Sequence, residues 1–212
     1  MYLSKPMELK PYSSQVHMQE ILAMPDAPIL WEGPKGQWGC FSQMSKSAFK
    51  EDGILYPTAE HFFQAEKARK FGDKARLIKI LNAKTPYDAK AIGRRIKVNR
   101  KAWNEISFDI AIRANWLKFT RSENAAELQQ RLLSTGNRFL DEAITRDSEW
   151  GLGRTPAMAL YHGLAGRNKL GEVLNVVRER LRAEQNIDED EFGLTAAHYT
   201  AVAQQLCQAT RE

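Results

Sequence analysis

Residues 56–71 read YPTAEHFFQAEKARKF. Pro57 and Thr58 open the stretch as proline and N-cap, and no further breaker follows for a dozen residues, so the spacing predicts a helix. Glu60, Gln64 and Lys67 then fall at i, i+4 and i+7 and share one face. Phe62 and Phe63 occupy the rest of the same turn. A helix that places three polar groups in one stripe between aromatics either bathes that stripe in water or lines a cleft with it. Glu60 sits in the first turn, near the positive end of the helix dipole, which favours the ionised carboxylate and so a base or charge stabiliser over a proton donor. If the face lines a cleft, Glu60 and Lys67 converge on one ligand. The pair can activate water, or Lys67 can attack the carbon of an opened sugar.

The elements around this helix follow from local signals. Asp52-Gly53 between Phe49 and Ile54-Leu55-Tyr56 predicts a hairpin, and WEGPKGQWGCFS (31–42) reads as strand and turn. Helices are expected over 73–82, 86–95 and 106–119. In the last, Trp103, Ile106, Ile110, Ala114 and Leu117 form one buried stripe. Ser122 is read as the cap of a further helix that stops at Gly136. Residues 138–145 alternate weakly, as in a short strand, and 147–165, with three glycines, read as loop. Asn168 is read as the cap of a final core helix through 182. The fold class expected is mainly α with a few short strands. A single domain over 31–183 is flanked by an extension, 1–30, and by an acidic linker with an amphipathic helix, 184–212. A short helix is expected near 14–24, and the C-terminal one carries Leu194, Ala201, Val202 and Leu206.

The chain has 212 residues, 43% hydrophobic and 27% charged, which is the composition of a folded domain able to bury a core. No apolar run is long enough to span a membrane. The N-terminus lacks the apolar stretch of a signal peptide, so a cytoplasmic setting is expected. Cys40 and Cys207 form no disulfide framework or metal pair, the four histidines show no ligand spacing, and no cofactor motif is present. The net charge of +5 is unevenly spread: residues 67–101 carry thirteen Lys or Arg against Asp73 and Asp88, a local +11, leaving −6 elsewhere. Such a block suits phosphate-bearing partners, small or polymeric.

Two other segments carry candidate chemistry. DSEWGLG (147–153) combines Asp147 with glycines, including Gly151, that let backbone approach a ligand, and with Trp150, which can stack on a flat base. GRNKLG (166–171) opens a helix whose free N–H groups can receive phosphate beside Arg167 and Lys169.

Four segments in order, WGCFSQM (38–44), YPTAEHFFQAEKARKF, DSEWGLG and GRNKLGEVL (166–174), resemble the NADAR (YbiA-like) N-glycosidase family. AKAIGRR (89–95), KAWNEI (101–106) and LLSTGNRFLDEA (132–143) fit the same pattern. The resemblance covers about residues 31–183 and implies a mainly helical fold around a compact site. It implies cleavage of a ribose C1–N bond, in ADP-ribosylated guanine, free or within DNA or RNA, or in a phosphoribosylamino-pyrimidine of riboflavin biosynthesis. The excess charge favours the first. It also implies Glu60, Lys67 and Asp147 as catalytic residues. Trp38, Phe41, Ser42, Gln64, Trp103, Trp150, Gly151 and Asn168 are the implied substrate contacts, with no metal or cofactor. Lys67 either stabilises phosphate or forms an imine with opened ribose. The chain departs from the pattern where Gln43-Met44 replace the usual Asn-Phe. Two other readings stand beside this one: a non-catalytic module that binds ADP-ribose-type ligands, and a helical interaction protein dimerising through 194–206.

Overall fold

In the computed structural model, residues 27–162 and 165–185 are described. The helices expected near 14–24 and at 194–206 lie outside them.

Asp52 and Gly53 both take positive φ, 51° and 76°, the pair a two-residue hairpin turn requires. They join β2 (Phe49–Glu51) to β3 (Ile54–Tyr56), with Phe49 opposite Tyr56. Both rings then close on Phe62, the Tyr56 and Phe62 centroids 5.1 Å apart. That contact anchors α1 (Ala59–Lys70), whose N-cap Thr58 accepts a hydrogen bond from the His61 N–H at 3.3 Å.

Every residue from Ala59 to Ala65 is buried. The helix is polar and apolar by turns, yet enclosed on all sides. It packs against β3, α2 (Lys74–Leu81), α3 (Pro86–Gly93) and the 22-residue α4 (Arg100–Arg121). α2 and α3 are capped by Asp73 and Thr85, each accepting from the N–H three residues on. α4 begins six residues before the expected Ile106, because Asn99 Oδ1 accepts from the Ala102 N–H at 3.0 Å.

Ser122 does not cap the following helix. Its hydroxyl donates back to the Lys118 carbonyl at 2.6 Å, closing α4, and α5 (Ala125–Leu133) starts after Asn124. Residues 147–165 are not all loop either: α6 (Pro156–His162) lies within them, with Thr155 Oγ1 accepting from the Met158 N–H. Thr155-Pro156 is a cap followed by proline at the first helical position, a signal outweighed by the three glycines around it.

β4 (Leu140–Glu142) pairs in parallel with β1 (Ile29–Trp31), Trp31 opposite Glu142. The turn leading into β4 is fixed from α7 (Lys169–Glu184): Arg178 donates to Thr135 Oγ1 at 2.7 Å and Arg182 to the Gly136 carbonyl at 2.8 Å. Trp31, Phe41, Phe119, Leu132, Leu140 and Leu174 share one core cluster. Phe49, Tyr56, Phe62, Ile80 and Leu117 share another. Phe63, Ala111, Ile112 and Val173, with Trp103 and Trp150 at their margin, connect the two through Ile110 and Trp150. Among the described residues the result is one mainly helical domain with two short two-stranded sheets.

Candidate active site

The stripe on α1 faces inward. Glu60 and Gln64 are each 5% exposed, and Gln64 Nε2 donates to Glu60 Oε1 at 2.7 Å. Gly93 of α3 makes this approach feasible, because a Cβ there would lie 1.9 Å from Gln64 Oε1. The Glu60 N–H donates to the Gln43 carbonyl at 3.1 Å, so the turn after the 3₁₀ segment Gly39–Phe41 ends the helix from outside. His61, next in sequence, turns away to Thr58 Oγ1 and the Ala83 carbonyl.

Burial changes the chemistry expected of Glu60. Its carboxyl is pushed above the ordinary value by desolvation, against the pull of Lys90 and the Gln64 hydrogen bond. The helix-dipole argument pointed to an ionised base. Removal from water outweighs that end effect, so Glu60 is biased towards the protonated acid. Lys67 is half-buried, and its ammonium lies 5.2 Å from the Trp103 ring centroid. Desolvation pulls its pKa down, with Glu60 acting in the opposite direction.

Two further carboxylates lie within electrostatic range of Glu60. Asp147 forms an ion pair with Lys90 of α3 at 3.5 Å, and its Oδ1 accepts from the Trp150 N–H at 2.9 Å. Glu142, at the end of β4, is 6% exposed; burial pushes its pKa up to about 7, opposed by Lys90 and by a hydrogen bond with the Ser42 side chain. Lys90 therefore serves Glu60, Glu142 and Asp147 together. Neither Lys90 nor Glu142 stood out in the sequence. For Glu142 the available signal was weak: two acids, Asp141-Glu142, inside a short apolar strand.

One wall is aromatic. Phe63 lies edge-on to both Trp103 and Trp150, at 5.2 Å from each. Behind the opposite wall Lys118 is fully buried and donates to the Cys40 and Ser42 carbonyls at 2.5 and 2.9 Å. Burial pulls its pKa down to about 7. This brace fixes the turn that carries Ser42 to Glu142 and Gln43 to Glu60.

The structure thus assembles Glu60, Gln64, Lys67, Ser42, Trp103, Asp147 and Trp150. Other candidates are held by the framework. Phe41 has no exposed surface and carries Trp38 stacked on it, centroids 5.6 Å apart, while Trp38 borders a hollow with Arg131 and Ser134. Asn168 is not a side-chain cap. It takes a left-handed φ of 47°, donates to the Leu140 carbonyl and Asp141 Oδ1, and accepts from the Glu142 N–H. It thereby ties the start of α7 to β4 beside the site.

The glycines of these loops also do other work than expected. A Cβ on Gly151 would meet the Glu142 carbonyl at 2.6 Å, and one on Gly166 the Gly151 carbonyl at 2.2 Å, so these positions permit backbone to pack on backbone. Nor are the N–H groups opening α7 free for phosphate. Those of Arg167, Asn168, Lys169 and Leu170 donate to the carbonyls of Ser148, Gly151, Glu149 and Trp150. Among the described residues no three His, Cys, Asp or Glu side chains are placed to hold a metal ion. No described helix is long and apolar enough to cross a membrane.

Known proteins are similar to this chain in sequence and fold. An N-glycosidase of Acanthamoeba polyphaga mimivirus is 36% identical over 148 residues, covering 66% of this chain and 85% of its own. N-glycosidase YbiA of Escherichia coli (strain K12) is 34% identical over 163 residues, covering 76% and 93%. The NMR structure of E. coli YbiA superposes with a TM-score of 0.64 at 33% identity, covering 78% of this chain and 91% of that one. The family model of the NADAR domain matches residues 30–182. On that match, and on these relatives, the chain belongs to the NADAR domain family.

Proposed function

We propose that this chain is an N-glycosidase that hydrolyses the bond between ribose C1 and a nitrogen, in ADP-ribosylated guanine or in a phosphoribosylamino-pyrimidine. The observation that carries the proposal is a buried carboxyl, Glu60, with its pKa raised, sharing one helix face with a half-buried lysine whose pKa is lowered. The names of the relatives supply the bond type.

Breaking a ribose C1–N bond leaves positive charge on C1 and negative charge on the departing nitrogen. Protonated Glu60 donates to that nitrogen. Asp147 and Glu142 offer carboxylates near the developing cation. Water adds to C1, one of its protons passes to a carboxylate, and the sugar leaves with a hydroxyl at C1. Trp103 and Trp150 provide flat faces for the base. Lys67 and Lys90 suit a phosphate. A lysine with lowered pKa also has more free amine, so Lys67 is equipped for the alternative route, an imine with C1 of the opened ribose.

The test is a substrate panel: ADP-ribosylated guanine in DNA, its free nucleoside, and phosphoribosylamino-pyrimidines. Glu60→Gln is expected to lower kcat by roughly 10²–10⁴-fold. Lys67→Ala with full activity would remove lysine from the mechanism, whereas borohydride trapping of a ribose adduct on Lys67 supports the imine. Binding without turnover across the panel would leave a non-catalytic ADP-ribose-type module.

A further inference from the structure

The +11 segment is not used up by the site. Lys90 on α3 and Arg94 at its C-cap, one turn apart, act on Glu60. Asp88, Ile92 and Arg95, spaced i, i+4 and i+7, point to another face and line a groove of about 420 Å³ with Lys79, Asn82, Ala83, Lys84 and Ala91. α3 is therefore a shared wall, with the carboxylate site on one side and a basic groove on the other, about 10 Å across.

Three groove cations come from separate places: Lys79 on α2, Lys84 in the link, and Arg95 just past α3. All three are exposed, and none forms an ion pair among the described residues. Asp88 is the one acid lining the groove, and it is engaged by the Thr85 hydroxyl at 2.7 Å. Two large apolar side chains adjoin lining residues along the helices and are open to solvent: Tyr87, 59% exposed, next to Asp88 and one turn before Ala91, and Ile78, 62% exposed, next to Lys79 and one turn before Asn82. Separated cations fit a chain of phosphates better than a single one, and an exposed tyrosine beside them is a stacking platform for a base.

We propose that the groove between α2 and α3 binds the backbone of a single-stranded nucleic acid, with a base stacked on Tyr87. A single strand is required for two reasons. Stacking on Tyr87 needs an unpaired base face. Glu60, at 5% exposure, is out of reach of a base held inside a duplex. The choice of a single strand rests in part on the glycosidase reading through Glu60, whereas the groove itself does not, since an unmodified strand fits it with no bond cleaved.

The experiment is fluorescence anisotropy of the full chain with a labelled oligothymidylate about a dozen nucleotides long. Neutralising three phosphates gives a salt slope of about −2, so Kd rises roughly 20-fold between 50 and 200 mM salt. Combined Lys79→Glu, Lys84→Glu and Arg95→Glu is expected to abolish binding at the higher salt. Tyr87→Ala raises Kd roughly tenfold and leaves the salt slope unchanged. Both variants retain cleavage of a small ribosyl substrate, because none of these residues lines the carboxylate site. The proposal is overturned by no strand binding at 50 mM salt, by equal affinity for duplex and single strand, or by a charge-reversed protein that binds like the parent. Binding to phosphatidylserine vesicles but not to the oligonucleotide also overturns it. If the charge reversal disturbs folding, Tyr87→Ala alone decides, and an unchanged Kd defeats the stacking and the groove with it.

Discussion

Glu142 is 6% exposed, and its carboxyl is raised from the ordinary 4.5 to about 7. The native state therefore holds a proton that the unfolded chain releases near 4.5. The stability from this group is complete below about pH 4.5 and is lost as pH rises through 7. Glu142→Gln removes the penalty. It is expected to stabilise the protein at pH 8 by up to about 3 kcal/mol and to change little at pH 4.5, as read from urea unfolding at both pH values. Lys118 is the opposite kind of residue. Lys118→Met removes one charged donor from each of the Cys40 and Ser42 carbonyls and leaves Ser45 as their remaining donor, a loss of about 1–3 kcal/mol. Urea midpoints of Lys118→Met and the parent measure it; equal midpoints would mean that the turn closes without its brace.

Glycine contacts decide how elements meet. At Gly93 an added Cβ strikes the end of the Gln64 side chain, and at Gly171 it lies 1.9 Å from the Leu140 carbonyl. A side chain can rotate away, although here it must give up the 2.7 Å hydrogen bond to Glu60. A backbone carbonyl in a paired strand cannot. Gly171→Ala is therefore expected to destabilise more than Gly93→Ala, by about 3 against 1 kcal/mol. Gly93→Ala is expected to move the alkaline limb of the pH–rate profile to higher pH, since Glu60 loses the amide that opposes its raised pKa. The two variants, compared in denaturant and in a pH profile, separate packing from tuning. The hairpin at Asp52-Gly53 and the cap Thr58 were legible because a turn or a cap is specified within four residues. Ser122 was misread for the same locality: a hydroxyl at a helix junction can serve either neighbour, and the Lys118 carbonyl took it.

Across the whole molecule, α7 ends at Glu184, and Gln185 Nε2 then reaches Gln129 of α5 at 3.1 Å. Because the described packing runs from β1 to that contact, we propose a folding unit of about residues 29–185, slightly wider at both ends than the 31–183 expected from the sequence. A chain ended at Gln185 is expected to keep a cooperative melt by circular dichroism, within a few degrees of the full chain. A collapse of the transition would assign residues 186–212 to the core. At this scale the sequence by itself determined the described helices other than α6, the hairpin, the basic block and the alignment of Glu60, Gln64 and Lys67, since each depends on near neighbours or on summed charge. It did not determine which way that stripe faces. Local periodicity ranks one helix face against another, and α1 has no outer face along residues 59–65, because the hairpin and three helices enclose it. Tertiary structure alone decided that Glu60 is buried, with its pKa raised by desolvation, and that Glu142 and Lys90 lie within electrostatic range of it. It also directed the N–H groups of α7 to loop carbonyls rather than to an anion. Each of these outcomes depends on segments distant in sequence meeting away from water, where desolvation, not spacing, sets the charge a side chain will carry.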